Sequence, residues 1–362
     1  SGVVINTSQI LHGQTGHGAA DALTGTEEGD WINSGGGDDT LEGNGGADVL
    51  IAGDGNDSLD GGAGRDLLFA GEGDDTAQGG DGNDYILAGA GNDTLEGGEG
   101  DDVLSGDAGD DVLNGGAGND ILVGGVGNDT LNGGAGDDTY IYFRGDGRDT
   151  IHDYATEMQD VQEATGNMVY QRSGKSGRYV QEMRTVQQAV QIEGGWDTLQ
   201  FGYTIGIEDV FFELQGDDLV MGIRQLDETG AEMTLDQMDD VVTVEDWSNE
   251  MSRVEELRFG DGLSVDISAF GSFQSGYGDD DSFTGTDQGD LLSGGAGNDT
   301  LSGENGDDVL VGGDGNDDIS GGEGSDDIFG GAGDDTLRGG AGRDYMLGGA
   351  GSDVIEGGAG DD

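Results

Sequence analysis

Gly79–Asn132 reads GGDGNDYIL AGAGNDTLE GGEGDDVLS GDAGDDVLN GGAGNDILV GGVGNDTLN, six nonapeptides of the form Gly-Gly-x-Gly-x-Asp-x-apolar-x without a gap. A fixed short period of this kind is the mark of stacked parallel β-structure, in which each repeat buries its apolar residue only against its neighbours. Extended both ways, the frame covers about two thirds of the chain. From Gly16 its sixth column is Asp21, Asp30, Asp39, Asp48, Asp57, Asp66, Asp75, Asp84, Asp93, Asp102, Asp111, Asp120, Asp129 and Asp138, never Glu. Its eighth column runs from Leu23 and Ile32 to Leu131 and Tyr140 and is apolar throughout.

A slower period sets the geometry. Position one is usually Gly, but Ser34, Ala52, Ala70 and Ala88 replace it at intervals of eighteen, while Gly25, Gly43, Gly61, Gly79 and Gly97 between them do not. Two nonapeptides therefore make one coil, with odd and even loops on opposite edges. The expected architecture is an all-β parallel β-roll of three-residue strands and six-residue turns. The eighth column points inward between two sheets, so few apolar residues suffice.

After Tyr140 the frame slips by two residues through TYIYF and resumes in RGDGRDTIH with Asp149 and Ile151. Tyr140 and Tyr142 read as a cap on the open end of the roll. Nine of the twelve basic residues lie between Arg144 and Arg258, which marks a different, mainly β region. Within it, Met168–Ile192 reads as a hairpin around SGKSG, with helix as the rival for its second half. DTLQF, FFELQ, DLVMGI, VVTVEDW and VEELRF read as strands, and TIGIEDV as a turn or helix start. The frame restarts at Gly276 and supplies Asp281, Asp290, Asp299, Asp308, Asp317, Asp326, Asp335, Asp344, Asp353 and Asp362. The expected division is a lead-in or cap at 1–15, a first roll at 16–152, a β-rich domain at 153–275 and a second roll at 276–362.

Composition separates the possible functions. Eighty glycines, 32% apolar residues and a net charge of −66 would leave an ordinary chain of 362 residues unfolded through self-repulsion and want of a core. Without a basic patch, nucleic acid is excluded as a partner. There is no cysteine for disulfides or thiolate metal sites, and only His12, His17 and His152 to serve as imidazole ligands. No apolar run reaches the length of a membrane span, and no charged-then-apolar leader is visible. HExxH and GxSxG are both absent, so protease and lipase chemistry find no residues here, and the chain reads as non-enzymatic.

Fixed carboxylates at coil spacing, beside glycine turns that leave backbone carbonyls accessible, suit a hard cation with oxygen ligands. Calcium accepts six to eight oxygens in loose geometry, whereas magnesium holds its waters. Every sixth-column aspartate from Asp21 to Asp149 and from Asp281 to Asp362 is thus a candidate metal ligand. With an ion between each loop and the next on the same edge, about thirteen sites arise in the first array and about eight in the second. About twenty-one divalent ions would reduce the charge from −66 to about −24, so binding and folding become one event.

These arrays resemble the RTX (repeats-in-toxin) haemolysin-type calcium-binding family. The middle segment resembles the haemolysin-type calcium-binding-related domain through DTLQFGYTIGIEDV, GDDLVMGI, VVTVEDW and VEELRFGDG. The resemblance implies calcium-bound β-rolls, type I secretion from a Gram-negative cell and folding in extracellular calcium. It implies a structural module of a secreted or surface protein, with self-assembly or a cell-surface polysaccharide as possible partners. Because the family carries toxins, enzymes and adhesins alike, a secretion and folding module of an extracellular enzyme is the alternative, and a glycan-binding adhesin region another. The middle segment departs from the family in a long insert at about 155–194, and the chain stops at GGAGDD inside a repeat, as a fragment or a contact face would. Gly174-Lys175-Ser176 lacks the first glycine of a phosphate loop and reads as a turn. Trp196, Tyr203, Phe211, Phe212 and Trp247 are a candidate sugar groove, with core packing the stronger reading. His152, between Asp149 and Asp153, is a candidate pH-sensitive group.

Overall fold

The computed structural model describes residues 12–153, 196–226, 233–247 and 254–362, together with the backbone of the strands Ala155–Ser173 and Ser176–Ile192. Among these residues the protein is all-β, without an α-helix. Alternate strands of the first array fall into two sheets of parallel neighbours with a register of eighteen residues, as in Leu95↔Leu113 and Leu104↔Leu122, lengthened to twenty at Leu131↔Ile151 where the frame slips. Two nonapeptides therefore complete one coil, as the alternation at position one predicts.

The coil divides its residues differently from the expectation of short strands and long turns. Strands such as Ser58–Ala63 and Thr94–Glu99 are six residues long, which leaves three for the turn. The ladder continues after a bend at position one, because position two and the residue after it still pair with their equivalents, Gly62↔Gly80 and Ala63↔Asp81. That bend and the following turn need glycine for two reasons. Gly80 and Gly82 sit at φ +107° and +132°, where a side chain is strained. At Gly79 a Cβ would lie 2.5 Å from Oδ2 of Asp84 and 2.7 Å from the carbonyl oxygen of Gly97.

The eighth column forms a single file of buried residues between the sheets. Ile32, Leu50, Leu68, Ile86, Leu104 and Leu122 are each fully buried, and each removes about 1.5–3 kcal/mol worth of apolar surface from water. Tyr140 and Tyr142 are also buried, but they do not end the roll. The strand Thr139–Tyr142 pairs onward with Thr198–Phe201, and Arg148–Ile151 with Val241–Val244, both in parallel. The two sheets thus run from the first array into the middle region, each reaching eleven strands among the described residues. They finish in antiparallel pairs, Glu256–Arg258 with Ser264–Asp266 and Asp218–Ile223 with Val210–Gln215.

The insert leaves this double sheet as an antiparallel hairpin of Ala155–Ser173 and Ser176–Ile192, so its second half is strand rather than helix. The 174–175 part of the Gly-Lys-Ser turn lies outside the described residues. TIGIEDV contains a short 3-10 turn at Ile207–Asp209. The second array builds its own pair of five-stranded sheets, again at a register of eighteen. It meets the middle region through an aromatic seam in which Phe211 stacks on Tyr277 at 4.6 Å and Trp247 meets Phe273 edge-on at 5.0 Å.

Candidate metal centre

The turn places each sixth-column aspartate at the edge of the roll with its carboxylate turned toward the chain. One carboxylate oxygen is fixed by the backbone one coil earlier. Asp66 N–H donates to Oδ1 of Asp84 at 2.8 Å, Asp84 to Asp102 at 2.7 Å and Asp102 to Asp120 at 2.8 Å. The other edge repeats this through Asp57, Asp75 and Asp93, and the second array through Asp299 and Asp317. The aspartates are therefore cross-coil ties as well as charges, which explains the absence of Glu: one more methylene would displace Oδ1 from the amide.

The second oxygen of these carboxylates is buried and has no hydrogen-bond partner. Oδ2 is in this condition in Asp39, Asp48, Asp57, Asp66, Asp75, Asp84, Asp93, Asp102, Asp111, Asp120, Asp129, Asp138 and Asp197. In the second array it is so in Asp299, Asp308, Asp317, Asp326, Asp335 and Asp344. A buried, unpaired anionic oxygen costs on the order of several kcal/mol, and here the cost recurs through the interior coils of both arrays. The glycine cradle adjoins it, since Asp84 Oδ2 and the Gly97 carbonyl both lie against the space a Gly79 side chain would fill. Carboxylate and carbonyl oxygens meeting at a gap without a side chain form the donor set of a hard cation, so these residues fit calcium.

Electrostatics carry the same message. Burial, followed by the charge of neighbouring aspartates, pushes the carboxyls of Asp66, Asp75, Asp102 and Asp111 up to about 7, against partial relief from the backbone N–H. Asp138 and Asp149 are pushed up to about 8 by the same causes. The fold thus makes carboxylate charge unfavourable wherever no cation compensates it.

The first two loops of each array differ. Asp30 Oδ2 accepts from the Thr26 N–H at 2.6 Å and the Thr26 hydroxyl at 2.9 Å, and Asp290 Oδ2 likewise from Thr286 at 2.5 and 3.1 Å. Asp21 Oδ2 accepts from His17 N–H and Asp281 Oδ2 from Tyr277 N–H. In these loops the protein itself supplies the donors to Oδ2. At the far ends, Asp149 receives the Asp129 amide across twenty residues, and Asp353 and Asp362 receive those of Asp335 and Asp344.

Three features are not visible in the repeat frame. Asp197 continues the column of one edge, taking the Asp138 N–H on Oδ1 at 2.6 Å, and Glu255 extends it by accepting from Asp197 N–H at 2.7 Å. The insert hides this by stretching the spacing from eighteen to fifty-nine residues, although Trp196-Asp197-Thr198-Leu199 keeps the Asp-x-Leu signal. Position five forms a second, exposed ladder in the opposite sense, Asn92 N–H to Asp74 Oδ1 and Asp110 N–H to Asn92 Oδ1, which accounts for its many Asn and Asp residues.

The remaining candidates separate. Phe211, Phe212 and Trp247 are buried in the core, whereas Trp196 and Tyr203 are exposed, so the five aromatic residues do not share one groove. His152 faces Glu245, with Nδ1 3.2 Å from Oε2. No helix among the described residues is long and apolar enough to cross a membrane.

Comparison with known proteins gives the same repeats. The family model for the RTX calcium-binding nonapeptide repeat matches residues 15–50, 42–77, 78–113, 105–140, 275–310, 302–337 and 329–362, together more than half of the chain. A search of curated proteins finds no match.

Proposed function

The chain belongs to the RTX calcium-binding nonapeptide repeat family, and on that premise we propose that it is a calcium-induced folding module, non-catalytic, of a secreted or cell-surface protein. The observation that carries this reading is the file of buried, unpartnered Oδ2 atoms along both edges of both rolls. When bound, calcium supplies the positive charge that these oxygens lack. The sixth-column aspartates hold it through Oδ2, and the carbonyl of the position-one glycine one coil ahead is the neighbouring donor.

The chain's own part is to place one fixed carboxylate oxygen per turn and to shield it from water. Without a cation, stacked anions oppose every coil, so the −66 chain stays expanded where calcium is scarce. In millimolar calcium each filled site stabilises the coil that presents it, and folding spreads from coil to coil. This dependence suits export through a type I channel as an unfolded chain, followed by folding outside the cell. About twenty ions accompany the complete fold, mainly at the nineteen orphaned oxygens, while the first two loops of each array depend on the internal donors of their own turns.

Circular dichroism tests the proposal: a disordered spectrum with chelator and a β spectrum in millimolar calcium are expected. The same spectrum in both conditions contradicts it.

A further inference from the structure

Where the first array passes into the middle region, the column gains a carboxylate that the repeat does not supply. Asp138, Asp153 and Asp197 are all buried, and each offers an oxygen within 4.8 Å of the other two. Asp138 is the last Asp of its edge before the frame slips. Asp153 immediately precedes the hairpin, whose outermost pair is Ala155↔Ile192, and Asp197 follows it. Two of the three, Asp138 and Asp197, carry an Oδ2 that receives no N–H or hydroxyl while both residues are about 1% exposed or less, and the carboxyl of Asp197 faces that of Asp153. Asp153 is oriented by the Tyr140 hydroxyl, which donates to its Oδ1 at 2.9 Å and itself accepts from the Gly133 N–H at 2.7 Å.

We propose that Asp138, Asp153 and Asp197 form a distinct calcium-class cation site that fastens both ends of the hairpin to the last loop of the first array. It rests on the reading of the columns as calcium ligands and goes beyond it in composition and purpose. A regular site draws on a repeat aspartate and backbone carbonyls, whereas this one gathers three carboxylates from three separate segments. A proton shared by two of the carboxyls would leave the third a buried anion, while one divalent ion serves all three. Within the first array eighteen to twenty residues join neighbouring strands, but Asp138 and Asp197 are fifty-nine apart, and closing the longer segment costs additional chain entropy.

The test uses the whole chain in saturating calcium and compares wild type, Asp153→Asn and Asp84→Asn. Native mass spectrometry is expected to count one ion fewer in Asp153→Asn. Hydrogen exchange should show the hairpin strands at 155–173 and 176–192 losing at least tenfold protection in that variant, and keeping it in Asp84→Asn. An unchanged ion count with unchanged hairpin protection in Asp153→Asn overturns the site. If Asp153→Asn gains no β-structure, Tyr140→Phe decides: aromatic-sensitised terbium emission should fall at unchanged ion number, and unaltered emission overturns the site. A wild type that folds with calcium while Asp153→Asn matches it in count and protection sinks this site alone. A wild type that takes up no calcium sinks the broader reading as well.

Discussion

The N–H of Asp66 donates to Oδ1 of Asp84 at 2.8 Å, while Oδ2 of the same Asp84 is buried with no partner. One side chain is thus half backbone tie and half uncompensated anion. Asp84→Asn keeps an oxygen for the Asp66 amide but removes the charge, so it should lose one calcium ion and about 1–3 kcal/mol of calcium-loaded stability. Asp30→Asn should leave the ion count unchanged, because Thr26 already serves its Oδ2. Native mass spectrometry of both variants distinguishes them, and equal losses would refute the division between these loops.

Thr286 performs the service of an ion for Asp290 through its N–H and hydroxyl. Thr286→Val removes the hydroxyl at nearly constant volume and should cost about 1 kcal/mol. The loss should appear as a lower unfolding temperature in calcium and as unchanged stoichiometry. An additional ion in the variant would show that the hydroxyl excludes a cation rather than replacing one.

Glu304 occupies position two with φ +75°, where the repeat normally has glycine. Glu304→Gly should relieve about 1 kcal/mol of backbone strain and raise the unfolding temperature of the calcium-loaded protein. Asn44, at φ +72°, tolerates this conformation better, so Asn44→Gly should gain less. Thermal melts of the two variants check the order.

Proton binding follows from the raised carboxyls. In the calcium-free fold, Asp66, Asp102 and Asp111 are pushed up to about 7 and Asp138 to about 8, above the ordinary value near 4 that applies in the unfolded chain. The folded state without calcium therefore binds more protons, and its stability rises as pH falls and is lost as pH rises through about 6–8. Metal-free protein should gain β-structure between pH 8 and pH 5 by circular dichroism. Calcium competes with the same protons, so its affinity should weaken over that interval. Affinity that is constant from pH 8 to pH 5 would exclude this competition.

Much of the fold is legible in the repeat because period, glycine and apolar column each act locally. The eighteen-residue register follows from Ser34, Ala52, Ala70 and Ala88 and is observed through the regular coils of the rolls, as in Leu50↔Leu68. The length of the strands is not legible, because pairing at Gly62↔Gly80 after a bend is a property of stacked neighbours rather than of a single nonapeptide. Tyr140 and Tyr142 look terminal because the frame slips there, yet Thr198–Phe201 pairs onto their strand from beyond the insert. Asp153 and Asp197 are invisible as a pair for the same reason: only the closed hairpin brings them together.

The central claim is that cations and fold are one equilibrium. A calcium titration followed simultaneously by circular dichroism and native mass spectrometry tests it most directly at pH 8. The expected result is a cooperative passage from disordered to β-rich as about twenty ions bind, with no fully β-rich species free of metal. A β-rich chain in chelator at pH 8, or a complete fold holding only a few ions, would contradict it.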